Sequence, residues 1–217
     1  MIMKKINIIC FIIVATVIWS CDIIRVPAYV KREFNEYHGA FNNGYDTIIN
    51  TQGYYRYISD DRIPYYTFIM FFPDGTFLGL FSSKNNLEND FFEHLLYDDE
   101  RNIKSFLKHY YWGCYFIHKD TIEAISINHV ISLNQYYDGI AMDVFVIDNE
   151  QNLILIAEKS KNRKQDRFVS VSKNNISYPA KLTFIPLSKL PPSDCWIKNR
   201  RWFWKNTDAW KQYKRTY

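Results

Sequence analysis

The chain has 217 residues, with 27 Lys and Arg against 23 Asp and Glu, a formal net charge of +4 and 47% hydrophobic residues. A balance this near to neutral excludes a global nucleic-acid binder, which carries a large basic excess, and 7 glycines in all leave little from which to build a phosphate-cradling loop. The length suits one domain with a sizeable core.

The first element is a signal peptide over residues 1–20. Lys4 and Lys5 supply a positive start, Ile8 to Trp19 form an apolar stretch, and small Ser20 closes it. That stretch is shorter than the roughly 20 apolar residues a membrane-spanning helix needs. Ile18-Trp19-Ser20-Cys21 resembles the lipobox of bacterial lipoproteins, with an aliphatic residue at minus three and a small one at minus one before an acylated cysteine. The resemblance implies cleavage before Cys21, palmitate-type acyl chains on it, and attachment to a membrane through that lipid. Each buried methylene contributes about 0.8 kcal/mol to such an anchor. Loss of Lys4 and Lys5 takes the basic count from 27 to 25 against 23 acids, so the mature chain carries +2.

Residues 21–50 read as a tether and lead-in, because Asp22 to Arg32 lacks a strong apolar period and contains Pro27. Residues 51–217 form the single folded domain. Its strands are predicted at Gly53 to Ile58, Tyr65 to Phe72, Thr76 to Ser82, Tyr111 to Ile117, Thr121 to His129, Ile140 to Ile147, Leu153 to Glu158, Phe168 to Ser172 and Lys181 to Ile185. Each is short and rich in β-branched and aromatic residues. Pro73-Asp74-Gly75 and His118-Lys119-Asp120 supply hairpin turns, and Asp148 to Asn152 a third.

A helical insertion is predicted at about 85–110, where Leu87, Phe91, Phe92, Leu95 and Leu96, then Ile103, Phe106, Leu107 and Tyr110, recur at helical spacing. Pro186 to Asp194 is a proline-rich connection. Trp202 and Trp204 alternate about Phe203 as a last strand would. Thr207 to Arg215 suits a short helix capped by Thr207.

Gly53-Tyr54-Tyr55, the hairpin Phe71-Phe72-Pro73-Asp74-Gly75-Thr76-Phe77, and Gly113-Cys114-Tyr115-Phe116-Ile117 running to Asp120-Thr121-Ile122 resemble the lipocalin-like β-barrel lipoproteins of Bacteroidetes. The basic, Trp-rich stretch Lys198 to Trp204 is similar to the ends of some of those proteins. The resemblance implies a mainly β fold, an antiparallel meander barrel of the lipocalin-like, calycin type. It also implies a place in the cell envelope. Only Asp22 precedes Ile23-Ile24-Arg25, so the acid-rich stretch that marks surface export in those lipoproteins is missing, and a periplasm-facing membrane surface is expected.

Catalytic chemistry finds little support. No Gly-x-Ser-x-Gly elbow, His-Glu-x-x-His or Cys-x-x-Cys occurs, and His38, His94, His109, His118 and His129 lie on different predicted elements. The acid clusters Asp60-Asp61 and Asp98-Asp99-Glu100 read as solvated loops. No catalytic residue, metal ligand or cofactor is therefore expected. Cys114 and Cys195 are the candidate pair for a disulfide in an exported protein, with two buried thiols as the alternative. The tail sets Arg200 and Arg201 beside Trp202, Trp204 and Trp210. That mixture suits packing on a barrel wall, or contact with an anionic membrane or a partner. The expected role is a non-enzymatic binding module for a small apolar ligand or an envelope partner. An assembly protein working through the barrel exterior and tail is the alternative, and a glycan or lipid hydrolase comes third.

Overall fold

The computed structural model describes residues 26–37, 48–58, 65–83, 111–130, 136–170, 178–193, 195–204 and 206–216. The predicted helical insertion, the signal peptide and Cys21 lie outside them.

Among the described residues nine strands follow a short helix: α1 (Ala28–Tyr37), then β1 (Gly53–Ile58), β2 (Tyr65–Phe71), β3 (Thr76–Ser83), β4 (Tyr111–His118), β5 (Thr121–Val130), β6 (Tyr136–Ile147), β7 (Leu153–Asn162), β8 (Val169–Ser170) and β9 (Ala180–Pro186). Every pairing is antiparallel, each of β1 to β7 pairs with the next, and β9 joins β7 to β1. The result is a closed eight-stranded meander barrel, lipocalin-like in architecture, with β8 outside the ring on the upper part of β7. Closure pairs both sides of every ring strand over at least part of its length.

The meander sets two ends. The β2–β3, β4–β5 and β6–β7 turns share the lower end with residues 48–52 and the chain leaving β9. Gly75 takes φ 82°, Lys119 60° and Gln151 64°, the left-handed conformations that tight turns require. In the first turn Asp74 Oδ1 accepts from the Thr76 N–H at 3.0 Å and from its hydroxyl at 2.5 Å. In the third, Asp148 Oδ1 accepts from the N–H groups of Glu150 and Asn152 at 2.9 and 2.8 Å. Burial would push the Asp148 carboxyl up, but these bonds and the Lys181 ammonium outweigh it and hold it at about 2.

Alternation splits the apolar residues into two clusters on opposite faces of the wall. Tyr55, Ile69, Phe71, Phe77, Tyr115, Ile122, Phe145, Leu153 and Leu182 form one that draws on all eight ring strands. This is the interior. Phe71 on β2 meets Phe145 on β6 at 6.2 Å between ring centroids, and those strands stand on opposite sides of the ring, so the contact runs through the middle. Lys181 and Thr183, which point the other way on β9, are exposed.

The second cluster lies on the outer face, where Tyr54, Phe68, Met70, Trp112, Ile125, Ile140 and Met142 pack under two covers. The first is α1. Residues 21–50 are therefore not all tether: Val26, Val30 and Phe34, spaced four apart, form an apolar stripe that is almost wholly buried. Pro27 opens this helix, its carbonyl accepting the Lys31 N–H at 3.1 Å, and Glu33 pairs with Lys161 on β7. Composition argued for a linker because Val30 and Phe34 in a polar decamer, with Val26 just before it, stabilise a helix only when a wall is there to receive them.

The C-terminal tail is the second cover, through Leu187, Cys195, Ile197 and Phe203. The last strand predicted at Trp202 to Trp204 is instead a single 3-10 turn, Arg201–Phe203. Of its three residues Phe203 alone is buried, turned into the outer-face cluster. Helix α2 (Thr207–Thr216) is capped by Asn206 rather than Thr207: Asn206 Oδ1 accepts the Asp208 N–H at 2.8 Å and its carbonyl the Trp210 N–H at 3.2 Å. The predicted strand at Phe168 to Ser172 reduces to two described residues outside the ring.

Candidate functional site

The interior is divided. Toward the lower end it is solid: Phe71 touches Tyr55, Phe77, Tyr115 and Phe145, with centroid separations from 4.7 to 6.2 Å. Tyr115 also fastens the β2–β3 hairpin, its N–H reaching the Gly75 carbonyl at 3.0 Å and its hydroxyl the Phe72 carbonyl at 2.9 Å. Ile49, from the lead-in, joins this cluster beneath the ring, and the Asn50 N–H donates to Tyr55 Oη at 3.1 Å. Burial of that phenol pushes its pKa up to about 12, the Asn50 bond opposing, so it stays neutral.

Toward the upper end the inner face changes character. Its described residues there include Thr67 on β2, Ser126 on β5, Ala141 and Asp143 on β6, and Glu158 and Ser160 on β7, with Tyr178 just before β9. Ala141, Asp143, Ser160 and Tyr178 are half-buried although they face inward, so solvent reaches this half. The wall also parts here: β7 pairs with β9 only at Leu153 to Leu155, and above that its partner is β8.

Asp143 and Glu158 stand directly opposite each other in the β6–β7 ladder. Opposed residues on one face have Cβ atoms about 5 Å apart, and like charges so placed repel. The Tyr178 hydroxyl donates to Glu158 Oε2 at 2.5 Å, closing the seam between β7 and the start of β9. Burial, that bond and the charges of Glu158 and Asp143 all raise the Tyr178 hydroxyl well above the ordinary phenol value, so it is a donor and not a base. Thr67, 5% exposed, follows the inward alternation of Ile69 and Phe71, and its hydroxyl has no hydrogen-bond partner among the described residues.

Glu158 faces inward because of a bulge. Phe145 pairs with Leu155 and Val144 with Ala157, which leaves Ile156 as the extra residue, 44% exposed. Strict alternation from Leu153 and Leu155 would have put Glu158 outside. An acid inside an apolar strand, Asp143 in Tyr136 to Ile147, was the one sequence signal for this site.

The residues singled out from the sequence lie elsewhere. Cys114 and Cys195 are both buried in the outer-face cluster as thiols, and the candidate disulfide between them is not formed. Arg201 donates to the Trp204 carbonyl and to Thr207, Lys198 pairs with Asp74, Trp204 Nε1 donates to the Lys198 carbonyl at 2.8 Å, and the Lys214 ammonium lies 5.7 Å from the Trp210 ring centre. Trp202 packs edge-on against Phe34 and Trp210 stacks on Tyr213. Arg200 is half-buried beside them. The tail is thus engaged in packing. His118 is exposed at the β4–β5 turn. His38, His94, His109, the His129 side chain and the acids at 60–61 and 98–100 fall outside the described residues. No group of three metal-ligating side chains occurs among the described residues.

These features define a closed antiparallel barrel, plugged by aromatic rings at one end and, among the described residues, carrying small, polar and acidic side chains together with Tyr57, Tyr111 and Tyr178 at the other. No family model, curated protein or solved structure matches the chain.

Proposed function

We propose that this chain is a bacterial envelope lipoprotein, held by lipid on Cys21 at a periplasm-facing membrane surface, whose barrel is a non-enzymatic cup for a small ligand. The division of the interior carries the reading. A barrel that served only as scaffold gains most from a core filled throughout with apolar side chains, whereas here polar and acidic groups line a half that solvent enters. Within the expected class of small apolar ligands, one that also bears a polar head suits the cup, because the apolar half is already occupied by Phe71 and its neighbours. The engagement of the tail's Arg201, Lys198 and Lys214 within the fold sets this reading ahead of recruitment of an envelope partner through the tail.

A thermal-shift screen of small amphiphiles tests it. At least one is expected to raise Tm by several degrees, as binding to the native state alone does. Ala141→Phe, which fills the upper half, is expected to abolish the shift while far-UV circular dichroism stays unchanged. If no compound stabilises the protein, or the shift survives Ala141→Phe, the cup is not the site. For the anchor, Cys21→Ser is expected to move the protein from the membrane to the soluble fraction or to leave the precursor uncleaved. A matured Cys21→Ser protein still held on the membrane refutes the lipid.

A further inference from the structure

We infer that helix α2 rests on a surface of anionic lipid headgroups, which makes the tail a second and weaker contact between the protein and its membrane. The inference rests on the membrane-anchored reading above and adds to it which face of the molecule turns to the bilayer. Three observations support it. First, α2 is basic on its outer side. Tyr213 is buried, whereas Lys211 and Arg215, one turn apart, point away from it with Lys214 at their flank, and all three are exposed. The acid of the helix, Asp208, stands 3.8 Å from Lys211, but with side chains 62% and 87% exposed such a pair is worth little, so the excess of cations stays on the surface. Arg201 adds a further exposed cation at the start of the helix, beside Thr207.

Second, half-buried indoles border these cations. Trp204 and Trp210 both meet Tyr213, at 5.0 and 6.4 Å between ring centroids, and the Lys214 ammonium lies over Trp210. An indole partly packed and partly wet suits the headgroup level of a bilayer. The exposed basic stretch after β7, with Arg163, Lys164 and Arg167, has only Phe168 beside it and no tryptophan. Third, the anchor reaches this face. Cys21 precedes Ala28, the first residue of α1, by 7 residues, a span of at most about 25 Å when fully extended. Helix α1 packs on the tail through Phe34, whose ring meets those of Trp202 and Phe203 at 6.1 Å each. Lipid on Cys21 therefore keeps the face covered by α1 and the tail within reach of the bilayer. A few surface cations give a weak, salt-labile attachment. The contact thus orients the barrel without replacing the lipid, and a Cys21→Ser protein is still released.

Co-sedimentation with lipid vesicles tests this on the mature-length chain, residues 21–217 carrying Cys21→Ser, which keeps every described residue and has no acyl group. In low salt, vesicles with about 30% phosphatidylglycerol are expected to pellet at least about fivefold more protein than phosphatidylcholine alone, and about 0.5 M NaCl is expected to remove the difference. Lys211→Glu/Lys214→Glu/Arg215→Glu is expected to lower binding to the anionic vesicles about tenfold, with far-UV circular dichroism unchanged. Should that reversal unwind α2, the milder Lys211→Gln/Lys214→Gln/Arg215→Gln carries the test, with an expected loss of about threefold. Arg163→Glu/Lys164→Glu/Arg167→Glu, a reversal of equal charge elsewhere, is expected to leave binding within about twofold of the parent chain. Equal binding to both kinds of vesicle, binding to neither, or equal losses from the two reversals overturns the inference. The lipid reading stands apart from those results: it falls only if a matured Cys21→Ser protein stays on cell membranes after a wash in high salt.

Discussion

The ammonium of Lys198 lies against the carboxylate of Asp74, 124 residues earlier in the chain, and joins the tail to the β2–β3 turn. The two ends differ in environment: the Lys198 side chain is 5% exposed and that of Asp74 39%. Ser193 adds a second tail contact, donating to Asp74 Oδ2 at 3.0 Å. Asp74 therefore serves both the turn, through Thr76, and the tail.

Unequal burial predicts unequal costs. Asp74→Asn leaves a buried ammonium without its counter-charge, and urea unfolding is expected to show a loss of about 2 kcal/mol, reduced from the fully buried case by solvent at the carboxylate. Lys198→Met keeps the packing and leaves an anion near water, so it is expected to cost under about 1 kcal/mol. Equal losses for the two would contradict the assignment of Lys198 as the buried partner.

The same pair makes part of the stability pH-dependent. Burial would raise the Asp74 carboxyl, but the Lys198 charge, with hydrogen bonds from Lys198 and Thr76, outweighs it and leaves the pKa below the ordinary value. A carboxyl depressed in the folded state contributes stability above its unfolded pKa, about 3.9 for aspartate, and loses it as pH falls through the folded value. The stability difference between wild type and Lys198→Met is thus expected to be constant from pH 7 to 5 and to shrink below about pH 4. Denaturant midpoints at pH 7 and pH 3 provide the measurement.

Two glycines in adjacent strands should behave in opposite ways. A Cβ on Gly113 would stand 2.1 Å from the Ile125 carbonyl oxygen and 2.4 Å from the Phe77 ring, both held by the barrel. Gly113→Ala is expected to destabilise by about 3 kcal/mol or more, since overpacking forces backbone as well as side chains to shift. On Gly79 the nearest atom is 3.6 Å away, an ordinary contact. Gly79→Ala is expected to stay within about 1 kcal/mol of wild type and to gain from a stiffer unfolded chain. Thermal denaturation of the two variants side by side decides it.

Thiol chemistry is a further check. Burial pushes the Cys195 thiol up to about 12, the nearby Lys198 charge pulling only partly back, and Cys114 is equally covered. Neither is expected to react with iodoacetamide at pH 8 in the native protein, and both are expected to react in 6 M guanidinium, because the thiolate is the nucleophile. Rapid native alkylation would show the tail to be open.

Sequence alone placed the eight ring strands. Gly53 to Ile58 coincides with β1, and the Pro73-Asp74-Gly75 and Lys119-Asp120 turns sit where residues that tolerate positive φ interrupt aromatic and β-branched runs. Such preferences are local: a turn residue or an alternating run reports its own backbone and its two neighbours. The antiparallel meander follows from short turns between successive strands, and ring closure between β9 and β1 completes it.

Only the tertiary structure decided which way key side chains face and what covers them. The segment carrying Val30 and Phe34 became a helix because a barrel wall was there to bury that stripe, and Trp202 and Trp204 left strand geometry as Phe203 between them turned into the outer-face cluster. The acid pair depended on a single inserted residue: Ile156 shifts β7 by one place, turns Glu158 from the outer face to the inner, and sets it opposite Asp143. A one-residue change of register reverses every later side chain in a strand, and no local preference marks where it occurs. Thus the barrel was written in the sequence pattern, whereas its candidate site arose from the register that pairing imposed.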